Sequence, residues 1–134
     1  MTRHDLAGDA PAQALIERVE GYFGAVDRKD LRSTLSFLAP DAVFTIATFD
    51  TVYRGRDTEI AGMFERLFAR YTRIWHGGFD HVVQPPDRIA TRFRVENETA
   101  QGQKFLKNNC NFFRSRGGLF DEVFVYMSGD NSLH

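Results

Sequence analysis

Between Pro11 and Tyr71 the apolar residues recur with a helical period, and after Tyr71 that period shortens to two. Leu15, Ile16, Val19, Tyr22, Phe23 and Val26 fall at i, i+1, i+4, i+7, i+8 and i+11, one stripe of an α-helix, with Pro11 suited to its first turn. Residues 1–10 carry no period and read as a tail ahead of a single domain spanning 11–134. After a break at Asp27 to Asp30, the residues Leu31, Leu35 and Leu38 predict a short second helix that Pro40 ends. The stretch 42–49, AVFTIATF, is β-branched and aromatic and predicts a first strand. A turn at YRGRD follows, and Asp57 is placed to cap a third helix carrying Ile60, Met63, Phe64, Leu67, Phe68 and Tyr71.

The second half alternates. Ile74 to Val83 predicts a strand bent by a bulge at Gly77-Gly78, and Pro85, Pro86 and Asp87 make a turn. Strands over 88–99, 104–114 and 120–127 follow, separated by turns at 100–102 and at Gly117-Gly118. This order predicts an α+β domain, three N-terminal helices laid against one curved antiparallel sheet.

A chain of 134 residues can bury about two-thirds of its unfolded surface, enough for one core. The 17 basic and 18 acidic residues are interspersed, so no basic stripe points to nucleic acid. No uninterrupted apolar segment points to a membrane or a signal peptide, and a cytoplasmic location is expected. The single cysteine, Cys110, excludes an internal disulfide and a CxxC motif. Histidines and carboxylates show no metal-ligand spacing, so neither a metal nor another cofactor is expected. Thirteen phenylalanines exceed what a thin sheet and three helices need, which predicts a roomy aromatic cavity or a subunit interface.

The element order, with the words VDRKDL, APDAVF, YRGRDTEI and VYMSGDNSL, resembles the SnoaL-like and ketosteroid-isomerase-like proteins of the NTF2-like superfamily over nearly the whole chain. That resemblance implies a cone whose helices and bent sheet enclose a pocket, often in a homodimer joined through the outer sheet faces. Isomerases, dehydratases, cyclases, epoxide hydrolases and non-catalytic binders share the architecture, so function must come from the site. Against ketosteroid isomerase, Tyr22 matches a pocket tyrosine, Asn111 matches the oxyanion-hole aspartate, and Ile46 stands where the general base belongs. An isoleucine moves no proton, which disfavours steroid isomerisation by that route. Against limonene epoxide hydrolase, Arg94-Val95-Glu96 approximates an Arg-x-Asp step while Val125 replaces the second aspartate. Against scytalone dehydratase, His76 and Asn111 match a strand histidine and a strand asparagine.

The candidate catalytic residues are therefore Tyr22, His76, Arg94, Glu96 and Asn111. Phe44, Ile46, Phe64, Asn109, Phe113, Val125 and Met127 are the candidate ligand-binding residues. Several of these read two ways. Tyr22 is a pocket hydroxyl or a core tyrosine, and His76 an acid–base group or a packing residue. Alternation alone points Phe93 and Val95 inward, whereas counting from the Gly102 turn against the relatives points Arg94 and Glu96 inward, since one residue of slip reverses every side chain. The run Asn108 to Asn111 breaks β-propensity, a sign of function, with Asn109, Asn111 and Phe113 favoured inward. On the last strand the resemblance sends Val123, Val125 and Met127 into the pocket and leaves Phe120, Phe124 and Tyr126 on an outer face that a second subunit would cover. A cofactor-free lyase, isomerase or cyclase acting on a small apolar carbonyl or hydroxyl compound is expected. The alternatives are a non-catalytic binder and an interaction protein acting through its dimer surface.

Overall fold

A computed structural model of the chain describes residues 3–134, with side chains from Ala10 onward. Met1 and Thr2, part of the expected tail, lie outside the described residues. Helix α1 (Arg3–Asp27) buries the stripe Leu15, Val19, Tyr22, Phe23 and Val26 and starts early enough to place Pro11 inside it. Helix α2 (Leu31–Leu35) is capped by Asp30, whose carboxylate accepts from the Ser33 N–H at 3.0 Å. It stops short of the expected end at Pro40. Leu38 instead opens strand β1 (Leu38–Ile46), where it pairs with Phe120, so sheet pairing overrides the leucine spacing of the helix.

The strand expected over 42–49 ends at Ile46, and a 3-10 turn over Ala47–Phe49 leads into β2 (Thr51–Arg54), antiparallel to β1. The segment expected as a YRGRD turn is thus half strand. Gly55–Ile60 then winds as a π-helical turn into α3 (Ala61–Arg70). Asp57 does not cap that helix, because its carboxylate is taken by the neighbouring Arg56 guanidinium at 2.9 Å.

Strands β3 (Arg73–Gln84), β4 (Arg88–Glu98), β5 (Lys104–Arg116) and β6 (Leu119–Met127) form the expected antiparallel meander. Its register shifts between Gly77 and Asp80, where the bulge was read from the sequence. The sheet as a whole is mixed rather than antiparallel, in the order β2-β1-β6-β5-β4-β3, because β1 runs parallel to β6. α1 packs on β3 and β4, and one continuous core joins the helices to the concave face.

A second irregularity corrects the last strand. Between Arg114–Glu122 and Ser115–Phe120 the register slips by one, and Asp121 is the extra residue. Its carboxylate meets Arg114 at 3.1 Å and Arg116 at 3.5 Å. Phe120 is thereby turned inward, 0% exposed and 4.7 Å from the Phe113 ring, although simple alternation put it outside. Beyond the bulge Val123, Val125 and Met127 are buried, and Tyr126 is exposed as expected.

Candidate active site

The last residue of α1 and the fourth of β3 form a histidine–carboxylate pair beside the cavity, and Glu20 and His81 of the same two elements form another at 2.8 Å. Asp27 Oδ2 accepts the backbone N–H of His76 at 3.1 Å, and Asp27 Oδ1 lies 2.6 Å from His76 Nδ1. A carboxylate only accepts, so Nδ1 carries the proton and Nε2 is the nitrogen left for a guest. The imidazole sits among Phe23 and Phe93, with ring centroids at 4.7 and 5.7 Å. This packing fixes its plane, as a positioned proton-transfer group requires.

Across the cavity, β5 supplies two amides. Asn109 and Asn111, two residues apart on one strand face, are 7% and 3% exposed, and their side-chain oxygens have no hydrogen-bond partner among the described residues. Pairing fixes where they stand. Asn109 lies between Phe93 and Met127, and Asn111 between Thr91 and Val125. An orphaned amide in an apolar interior is costly, and Thr91 Oγ1, Asn97 Oδ1 and His81 Nδ1 are buried without a partner among the described residues as well; of the five, only the Asn109 and Asn111 oxygens belong to residues lining the cavity. Tyr22 reaches the same space from α1, its ring edge-on to Phe64 at 6.3 Å and to Phe113 at 5.8 Å. Burial pushes the Tyr22 hydroxyl far above the ordinary phenol range, so it stays protonated and serves as a donor, not a base.

Tyr22, His76, Asn109 and Asn111 line one cavity whose walls include Phe44, Phe64 and Val125. Its room for the centres of water-sized spheres is about 30 Å³. One water needs roughly 10–15 Å³ by that measure, so the cavity holds about two waters and no organic guest. The roomy cavity expected from the phenylalanine count is corrected here, because the rings close on one another, Tyr22 alone facing Phe23, Phe37, Phe64 and Phe113.

Seven of the twelve candidate residues thus line the cavity. Ile46, Phe113 and Met127 are buried on the concave face behind it, as packing residues. Arg94 and Glu96 are on the other side of the sheet. Their neighbours Phe93 and Val95, each 3% exposed, take the inward positions, since burying rings is favourable and burying two charges is not. On the convex face the Arg94 guanidinium lies 5.9 Å from the Trp75 ring centroid, and Glu96 lies 3.9 Å from Arg73. The inward reading of that strand is overturned, and with it any role for Arg94 and Glu96 in the cavity. Among the described residues no cluster of three His, Cys, Asp or Glu could hold a metal ion, and no helix is long and apolar enough to cross a membrane.

Phe23, Val26, Leu67 and Phe93, read from the sequence as apolar inward positions, also line the cavity, whereas Asp27 beside it and Leu133 in its wall escaped the sequence reading. Asp27 carried a signal, because a carboxylate at a helix C-terminus opposes the helix dipole and so breaks a local rule. Leu133 carried none, since nothing in its surroundings in the chain marks it as an inward residue.

A helical layer closing the concave face of a bent six-stranded sheet, with polar groups at the bottom, defines a cone of the NTF2-like type. The sequence profile of the SnoaL-like domain matches residues 19–123, and the chain belongs to that family. A candidate polyketide cyclase from Xanthomonas campestris pv. campestris is similar in structure at TM-score 0.77 and 22% identity, covering 87% of this chain and 91% of that one. A protein of ketosteroid-isomerase-like fold from Catenulispora acidiphila, solved with trimethylamine, is similar at TM-score 0.73 and 15% identity, covering 82% and 84%. A candidate isomerase from Bacillus subtilis is similar at TM-score 0.77 and 11% identity, covering 88% of each chain. At these identities the likeness is one of fold. None of the curated proteins matches this sequence.

Proposed function

We propose that the protein is a cofactor-free lyase, isomerase or cyclase acting by general acid–base catalysis on a small, largely apolar carbonyl or hydroxyl compound. The observation that carries this reading is the 2.6 Å Asp27–His76 pair at the edge of a cavity in which the Asn109 and Asn111 side-chain oxygens lack partners among the described residues. In this mechanism His76 Nε2 takes a proton from carbon or oxygen of the guest and returns it. Asp27 holds the tautomer and steadies the imidazolium that forms in between. Tyr22 donates to the guest oxygen, where negative charge develops, and the Asn109 and Asn111 amides offer the remaining polar contacts. The aromatic walls exclude water and strengthen each of these interactions.

The experiment is a thermal-shift screen against small ketones, enones, epoxides and aromatic alcohols, followed by turnover assays on every hit. A ligand at 100 times its dissociation constant adds about 2.7 kcal/mol of stability. For a turned-over hit, His76→Gln and Asp27→Asn should each lower kcat by about 10²-fold or more with a small change in KM. Retention of full turnover in both variants would remove the catalytic role. A second reading, a non-catalytic binding domain, is favoured by Ile46 and Val125 standing where the resemblance expects carboxylates. It predicts stabilisation by a hit without turnover and with no loss of binding in Asp27→Asn. On either reading the protein acts in the cytoplasm as a homodimer joined through the convex sheet face, where Leu106, Phe112 and Tyr126 are exposed.

A further inference from the structure

All but one of the cavity's walls come from helix or strand. The exception is Leu133, which packs on the core from an irregular segment beyond β6. After Met127 the chain turns at Gly129, at φ 69°, and crosses the mouth of the cone towards α3. Among the described residues, 129–134 make no backbone–backbone hydrogen bond. Side chains from three separate elements fasten the segment instead. Tyr53 of β2 donates to the Leu133 carbonyl at 2.8 Å, Arg70 of α3 to the Ser132 carbonyl at 2.6 Å, and Lys107 of β5 to the carbonyls of Ser128 and Asp130.

Lys107 is the telling member. It is 5% exposed on the concave face, and loss of hydration pulls its ammonium below the ordinary lysine range. An apolar side chain would suit a permanently packed core better. The carbonyls that receive its hydrogen bonds both belong to the segment beyond β6, so the buried cation ties that segment to β5.

We propose that residues 129–134 form a strap whose Leu133 occupies the guest's place while the site is empty and sets the size of compound admitted. The proposal rests on the cavity being the ligand site. It accounts together for a cavity too narrow for an organic guest and for amides left unpaired inside it. Withdrawal of the strap opens the mouth between Tyr53, Arg70 and Lys107, and a guest enters at the level of Asn109.

The test uses 2-naphthol, a neutral, fluorescent, single-hydroxyl aromatic, titrated against the full chain. Leu133→Ala should bind it about tenfold more tightly than the unaltered protein, as when a competent state rises from a tenth of the population to nearly all of it. Amide exchange of 129–134 in the unaltered protein should exceed that of β6 by about 100-fold, a gap that local opening of a weakly held segment produces. Lys107→Met should widen that gap further. A folded Leu133→Ala that binds no more tightly overturns the strap, and so does protection of 129–134 equal to that of β6. Adding Asn111→Leu to Leu133→Ala separates the two readings. Weakened binding supports both, whereas unchanged tight binding upholds the strap and removes the polar floor as the ligand site.

Discussion

Asn111 is nearly fully buried with an unpaired amide oxygen, so its native side chain costs stability and a leucine of similar size would not. Asn111→Leu should raise the stability by about 1 kcal/mol while abolishing the polar contact the site offers, which urea denaturation and ligand titration measure together. Asp30 illustrates the opposite balance. The Ser33 backbone N–H, then the Ser33 hydroxyl, hold its carboxyl below the ordinary 3.8. A carboxyl lowered by folding stabilises above its unfolded pKa and loses that contribution as pH falls through the folded value. The melting-temperature gap between the unaltered protein and Asp30→Ala should therefore hold steady above pH 3.8 and close below it. Single residues were unevenly legible. Tyr22 and the inward asparagines followed from period and rule-breaking. The partner of His76 did not, because Asp27 lies 49 positions away in the chain and only the approach of α1 to β3 joins them.

At the scale of elements, the long strands of the meander were readable because alternation over nine or more residues leaves little ambiguity, and the Gly77-Gly78 bulge announced itself by composition. The β1–β2 corner was not readable. Leu38 satisfies a helical spacing and a strand pairing equally well, and only the distant Phe120 decides between them. The Asp121 bulge was hidden for a similar reason, since the two arginines that hold it come from β5. Its effect can be measured. Phe120→Ala should cost about 3–5 kcal/mol as a fully buried ring lost from the core. Phe124→Ala, on the other side of the same strand, should cost about 1 kcal/mol, as for a partly exposed position. Equal losses in chemical denaturation would mean that the bulge does not turn the strand.

For the molecule as a whole, the convex face poses the remaining demand. Phe112 and Tyr126 stand edge to face at 6.0 Å, half exposed, with Leu106 and Val82 further out at 72% and 70%. These exposed apolar side chains are the surface that the proposed homodimer would cover. Phe112→Arg combined with Tyr126→Glu should convert a dimer to a folded monomer in sedimentation velocity, and an unchanged mass would refute association through this face. The strand order has a consequence of its own for the growing chain. β6, the last strand made, is inserted between β1 and β5 and not added at a border, so until residue 127 has emerged from the ribosome the sheet exists only as two unjoined parts. Each part then shows an open rim of peptide groups that nothing yet covers. During synthesis the chain depends on whatever shields those rims, and a pause before β6 is translated is when strangers would most readily pair with them.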